Sequence, residues 1–193
     1  TTAKQSFWTK QSLYKIIVEV WYNHTCQNIS REVKKVIDAY LEATSDNSDG
    51  LAFKLQDFGC RGVSSLESAG IGGAAHLVTF MGSDTIPALR IAREYYGENM
   101  AGFSIPAAEH STITSWGREN EAKAYENMLT QYPDGLVAVV SDSYDVYNAC
   151  ENIWGGVLKE KVLARNGTLV IRPDSGEPTV VLPKMLNILW EKF

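Results

Sequence analysis

Leu136-Val137-Ala138-Val139-Val140-Ser141-Asp142-Ser143-Tyr144-Asp145 carries the clearest architectural signal in the chain. A short apolar run reads as a strand. A polar cluster ends it, and a helical pattern over residues 143–161 follows. The same order recurs. Apolar runs at 51–58, 76–80, 102–106, 136–140 and 168–171 alternate with helical patterns at about 64–75, 85–96, 111–132, 143–161 and 180–193. Gly97 is placed to end the second of these helices, and Pro183 lies near the start of the last, where proline is tolerated. Strands alternating with helices predict βαβ units and a parallel sheet.

The first fifty residues differ. Ser30 can cap a helix running to about residue 44, in which Val33, Val36, Ile37, Tyr40 and Leu41 form one apolar stripe. Residues 45–50, Ser-Asp-Asn-Ser-Asp-Gly, read as a loop. The expected organisation is a helical segment over 1–50 packing on an α/β domain over 51–193. A complete eight-stranded barrel needs about 250 residues. About five β/α units are visible here, so the chain is either a small open sheet or a barrel cut short. The helical preface and the start at Thr1 favour a piece of a longer enzyme.

Composition narrows the class. Of 193 residues, 45% are hydrophobic and 21% charged, which suits a globular fold with a sizeable core. A formal net charge of -5 gives no nucleic-acid footprint, so any bound phosphate must be held by a few local basic groups. Ile16-Ile17-Val18 is too short to span a membrane, and no signal-peptide layout is present. Cys26, Cys60 and Cys150 are odd in number and widely spaced. With only His24, His76 and His110 they form no zinc set, and a reducing cytoplasm fits them.

In a parallel α/β architecture the segments after the strands open on one face, where ligands bind. Those segments are Asp57-Phe58-Gly59-Cys60-Arg61-Gly62, Met81-Gly82-Ser83-Asp84, Pro106-Ala107-Ala108-Glu109-His110-Ser111, Ser141-Asp142-Ser143-Tyr144-Asp145 and Arg172-Pro173-Asp174-Ser175-Gly176. Taken singly, each residue has a structural reading. Asp84 and Asp142 precede helices and suit N-caps. Asp174 sits in a turn tripeptide. Arg61 and Arg172 can pair with carboxylates, and Phe58 can be core. Cys60 and Cys150 read as inert packing residues, and His24 and His76 as structural. Taken together, two arginines suit an anionic ligand. Three aspartates with a Glu-His pair suit sugar hydroxyls, a coordinated Mg²⁺ or proton transfer. Gly59, Gly62, Gly72 and Gly73 allow close backbone approach. Neither the P-loop nor the Rossmann fingerprint occurs, nor do the zinc-protease or nucleophile-elbow motifs.

Four of these segments, extended to 57–65, 106–112, 140–147 and 171–176, closely resemble the nicotinamide phosphoribosyltransferases, in the nicotinate/nicotinamide branch of the type II phosphoribosyltransferase family. The resemblance runs from about Ser30 to the C-terminus and covers the middle of that family's length. It implies a partial (β/α) barrel of the type II phosphoribosyltransferase kind. It also implies condensation of nicotinamide with phosphoribosyl pyrophosphate to nicotinamide mononucleotide and pyrophosphate, with Mg²⁺, in NAD salvage. By the same resemblance Phe58 stacks on the nicotinamide ring, and Asp84 accepts the carboxamide N–H and repels nicotinate. Arg61 and Arg172 lie near pyrophosphate and the nucleotide, and Asp174 with Asp142 binds ribose. His110 is the histidine that ATP phosphorylates, with Glu109 helping to orient its ring. The active site is shared across a homodimer. Cys60 departs from the pattern, standing where an aromatic is expected. The partner's stacking aromatic and the later phosphate loops fall outside this chain, so the fragment alone is expected to turn over little or nothing. The competing expectations are a nicotinate-specific enzyme, a metal-dependent hydrolase or aldolase-type barrel, and a non-catalytic assembly module. No lysine directly follows a strand, which counts against a Schiff-base aldolase.

Overall fold

The computed structural model describes residues 21–193, and the apolar stretch at 16–18 lies outside them. The chain divides into two compact units, Thr1–Ser104 and Ile105–Phe193.

In the first unit, helix α1 (Asn23–Thr44) is followed by strand β1 (Gln56–Asp57), helix α2 (Leu66–Leu77), strand β2 (Gly82–Ser83) and helix α3 (Ile86–Tyr96). Strands β1 and β2 are parallel, with Gln56 beside Gly82 and Asp57 beside Ser83. Ser65 caps α2 by accepting the Ser68 N–H at 3.0 Å. Gly97, at φ 70°, ends α3 in the left-handed conformation, as expected.

Three expectations change here. Helix α1 starts before Ser30, so Ser30 is no cap. It is buried inside the helix, with Oγ 3.3 Å from His76 Nδ1. The run at 76–80 is not a strand. Ala69, Gly72, Gly73, His76 and Phe80 recur at helical spacing, α2 runs to Leu77, and the strand follows at 82–83. Gly72 and Gly73 serve helix packing: a methyl on Gly72 would lie 2.6 Å from the Tyr22 hydroxyl, and one on Gly73 would lie 2.6 Å from Ala88 Cβ. His76 is a satisfied structural histidine, as expected. Its Nε2 lies 3.0 Å from the Gly82 carbonyl, and its ring stacks on Phe80.

The second unit is built on parallel strands β3 (Val137–Val140) and β4 (Leu169–Arg172). Val137, Val139 and Val140 are fully buried against Tyr125, Leu129, Ile113 and Trp154. Helices α4 (His110–Thr114) and α5 (Glu121–Gln131) replace the single helix expected over 111–132, because Gly117 at φ 81° breaks the chain between them. After β3 come α6 (Val146–Asn148), a π-helical stretch (Ala149–Val157) and α7 (Lys159–Leu163). Helix α8 (Pro178–Lys192) begins earlier than expected, so Pro183 lies inside it. Trp154 stacks on Tyr125 with ring centroids 4.7 Å apart. Cys150 is fully buried, and burial pushes its thiol up to about 11, in keeping with an inert packing role.

The expected run at 102–106 forms no strand. Phe103 bridges Gly82 in the first unit, and Ala107 bridges Ala138 in the second, both in parallel sense. Pro106 has no N–H to donate, and its carbonyl accepts from the Ala138 N–H at 2.9 Å. The described residues therefore hold four short strands in two parallel pairs, rather than about five strands in one sheet. The class is mixed α/β. Among them no helix is long and apolar enough to cross a membrane.

Candidate active site

Parallel register places the candidate residues. In the first unit Asp57 pairs with Ser83, so Phe58 and Asp84 stand abreast at the strand ends, and the Asp84 N–H donates to the Asp57 carbonyl at 2.9 Å. Phe58 is about half exposed and opens a 3-10 turn (Gly59–Gly62) that carries Cys60 and the exposed Arg61. Asp84 does not cap α3. The cap position is Thr85, and one Asp84 oxygen, Oδ1, accepts the Ser104 hydroxyl. Asp57 fixes the turn, its Oδ1 accepting the Gly59 N–H at 2.8 Å.

In the second unit Val140 pairs with Arg172, so Asp142 and Asp174 each lie two residues beyond a paired position. Asp142 is again no cap: Asp145 caps α6, accepting from the Tyr147 and Asn148 N–H groups. The Asp142 side chain is 4% exposed and gathers three donors. Its Oδ1 lies 3.0 Å from His110 Nε2. Its Oδ2 accepts the Asp174 N–H at 2.8 Å and the Ser175 hydroxyl at 2.5 Å. Burial opposes its ionisation, but the bonds from Ser175, the Asp174 N–H and His110 outweigh burial and hold its carboxyl below the usual aspartate value.

His110 is the first residue of α4, whose cap, Glu109, forms a capping box with Thr112. The other ring nitrogen, Nδ1, lies 3.5 Å from Glu109 Oε1 and 3.9 Å from Asp174 Oδ2. With Nε2–H donated to Asp142, the neutral ring keeps its lone pair at Nδ1. Arg172 Nη2 donates to the Ala108 carbonyl at 3.0 Å, tying the end of β4 to the loop that carries His110. Below the site, Trp154 Nε1 donates to Ser141 Oγ at 3.1 Å, and that hydroxyl donates to the Val139 carbonyl at 3.0 Å. The residue next to Asp142 is thereby locked into the core.

Each unit thus holds its own set: Phe58 beside Asp84, with Arg61 on the turn after Phe58, in the first, and His110, Asp142, Arg172 and Asp174 in the second. The sequence assigns no role of their own to Ser104 and Ser175. No spacing or motif marks a serine whose hydroxyl is spent on one distant carboxylate. Two hollows border these loops without being lined by Phe58, Asp84, His110, Asp142 or Asp174. One of about 280 Å³ is lined by Tyr22, Cys26, Asp57, His76 and Thr85, and one of about 380 Å³ by Arg118, Glu121, Tyr144 and Asp145. Chemistry and register single out the loops, and concavity alone does not. No group of three or more His, Cys, Asp or Glu among the described residues is placed to hold a metal ion.

The sequence model of the nicotinate phosphoribosyltransferase (NAPRTase) family matches residues 53–193. A nicotinamide phosphoribosyltransferase of Xanthomonas campestris pv. campestris is 53% identical over 100% of this chain and 42% of its own length. The enzymes of the same name from Acinetobacter baylyi and Mycoplasma pneumoniae are 30% and 35% identical, over 94% and 83% of this chain and 37% and 33% of their own. The chain therefore spans less than half the length of these relatives.

Proposed function

The chain belongs to the nicotinate phosphoribosyltransferase family, and from that premise we propose that it is the central part of a nicotinamide phosphoribosyltransferase. The whole enzyme would fold as a (β/α) barrel, act as a cytoplasmic homodimer and use ATP as a coupling co-substrate. The observation that carries the reading is the shared carboxylate of Asp142, which holds His110 on one oxygen and the Asp174 turn on the other.

The nicotinamide ring nitrogen attacks the anomeric carbon of phosphoribosyl pyrophosphate as pyrophosphate leaves. Positive charge grows on the sugar and negative charge on the leaving group, so positioning and electrostatics do most of the work. Phe58 offers a flat apolar face to the pyridine. Asp84, with Oδ1 occupied by Ser104, turns Oδ2 to the carboxamide N–H, an arrangement that repels the carboxylate of nicotinate. Arg61 and Arg172 serve the diphosphate and nucleotide phosphates, and the exposed Asp174 takes the ribose hydroxyls, with the buried Asp142 behind it. Mg²⁺ would arrive with the diphosphate, since no group of three or more His, Cys, Asp or Glu among the described residues is placed to hold it.

His110 takes the γ-phosphoryl group of ATP on Nδ1. The lone pair forms the N–P bond as the bond from phosphorus to the ADP oxygen breaks. Nε2–H stays paired with Asp142, which stabilises the resulting imidazolium. Water later cleaves the N–P bond, and the nitrogen recovers its lone pair.

The test uses the full-length protein with nicotinamide, phosphoribosyl pyrophosphate and Mg²⁺, with and without ATP. Nicotinamide mononucleotide should form. Label from γ-labelled ATP should reach the wild-type protein and be lost in His110→Ala. Absence of product sinks the assignment; label persisting in His110→Ala sinks the histidine role.

A further inference from the structure

We infer that Ser175 is a positioning residue that couples the Asp174 turn to His110 through the carboxylate of Asp142. The inference rests on the proposed phosphoribosyltransferase reading and deepens it.

The geometry is a bridge with one buried pier. Asp142 is the least exposed member of the cluster. Its two oxygens face opposite ways in function: Oδ1 meets His110 Nε2, and Oδ2 meets the 174–175 turn. Two donors from adjacent residues, the Asp174 N–H and the Ser175 hydroxyl, converge on that single oxygen. A carboxylate held by two donors on one side cannot rotate without losing both, so the rotamer that presents Oδ1 to His110 depends on the turn. Gly176, at φ 82°, supplies the left-handed residue that turns the chain after Ser175. The remaining charged groups around this oxygen pair are Glu109 and the Asp174 carboxylate, both near His110 Nδ1, and Arg172, anchored on Ala108.

The consequence is a two-way link. A sugar bound at Asp174 steadies the turn, the turn steadies Asp142, and Asp142 fixes the ring that accepts the phosphoryl group. Ser175 is itself exposed, so water can replace its hydroxyl at Asp142 once it is removed. Charge at Asp142 is then largely kept and position is lost. The expected effect is therefore modest in size and specific in kind.

The experiment compares Ser175→Ala and Ser175→Thr with wild type in the full-length protein. Four quantities are read: kcat/KM for phosphoribosyl pyrophosphate, KM for nicotinamide, ATP hydrolysed per nicotinamide mononucleotide formed, and the melting temperature. Ser175→Ala should lose about 3- to 10-fold in kcat/KM for phosphoribosyl pyrophosphate, the worth of one ordinary hydrogen bond. It should spend several times more ATP per product, with nicotinamide KM and melting temperature unchanged. Ser175→Thr keeps the hydroxyl and should restore both values. The inference is overturned if Ala matches wild type, if Thr is as impaired as Ala, or if activity falls while ATP per product stays fixed. Wild-type protein that makes no product would overturn the enzymatic reading and this inference with it, whereas an active wild type with a silent Ser175→Ala removes only the role of Ser175.

Discussion

Replacing Gly73 by alanine sets two known effects against each other inside the first unit. Gly73 lies in α2 against Ala88 of α3, which is fully buried. A methyl there would sit 2.6 Å from Ala88 Cβ and 3.0 Å from both Asp57 Oδ2 and Thr85 Cγ2. Carbon atoms prefer about 3.5–4.0 Å, so the overlap with Ala88 approaches 1 Å. Alanine in a helix interior is favoured over glycine by about 0.5–1 kcal/mol, while overpacking costs about 1–3 kcal/mol. Ala88 Cβ has no rotatable bond with which to retreat, so a helix must move and overpacking wins, for a net loss of about 1–2 kcal/mol. The displacement should also reach function, because Asp57 precedes Phe58 and Thr85 follows Asp84. Thermal unfolding and steady-state kinetics of the full-length protein are the assays. A lower melting temperature and a several-fold higher KM for nicotinamide are expected, with the KM for phosphoribosyl pyrophosphate unchanged. Gly62→Ala, where an added methyl meets nothing within 4 Å, is the control. A Gly73→Ala protein that melts at or above wild type with unchanged nicotinamide KM would refute the close packing of α2 on α3.

Three further outcomes are expected. Asp84→Asn should cut kcat/KM for nicotinamide about 10- to 100-fold, the worth of a hydrogen bond to a charged acceptor, and should raise nicotinate use; an unchanged ratio of the two substrates would remove Asp84 from selectivity. Glu121 is 5% exposed, and burial pushes its carboxyl up, only partly offset by the Tyr125 hydroxyl at 2.7 Å and by Arg118. The folded state therefore holds its proton longer than the unfolded chain, and stability is lost as pH rises above the ordinary glutamate value. Glu121→Gln keeps an acceptor for Tyr125 and should flatten that loss, measured as melting temperature against pH; a slope as steep as wild type would count against it. Arg165 donates to the carbonyls of Gly135 and Tyr132 at 2.6 Å and of Asp134 at 3.1 Å, where the chain enters β3. Arg165→Ala should destabilise by about 1–3 kcal/mol in denaturant unfolding, and a change within error would show that water substitutes for the guanidinium.

Strands β3 and β4 were legible because an unbroken apolar run surrounded by polar residues has few other readings. The run at 76–80 misled because apolar content alone does not separate strand from helix, and the buried positions 69, 73, 76 and 80 show their period only when the preceding residues are counted with them. The split between α4 and α5 was hidden for a different reason. Glycine is tolerated within helices, and only the positive φ of Gly117 shows that this one ends the turn. Ser30 has the residue type of a cap, yet its hydroxyl meets His76, 46 residues away, which no local rule detects. The site followed the same division. Phe58, Asp84, Asp142 and Asp174 could be picked out by their places after strands. The serines that hold two of those carboxylates could not, since such pairings exist only once register is set.

Acidic residues at strand ends can shape the loop or meet a ligand, and the structure separates the two by who caps the next helix. Glu109 and Asp145 spend their carboxylates on the first backbone N–H groups of α4 and α6. Asp84 and Asp142, which carry the same residue-type preference for that position, do not cap. In one case the cap position is taken by the neighbouring Thr85, whose side chain makes no cap bond, and in the other the task falls to Asp145, three positions on. An aspartate relieved of capping keeps oxygen atoms for tertiary partners, and both of these have one held by a serine hydroxyl. Cap preference is thus a weak guide when two acids fall within a few residues of a helix start. At 141–145 the acid nearer the strand, Asp142, is buried and takes tertiary donors, and the one nearer the helix, Asp145, takes the N–H groups. By this criterion Asp142 is the acid left for tertiary partners and Asp145 is the cap, and the sequence Ser-Asp-Ser-Tyr-Asp carries both roles because it carries both acids.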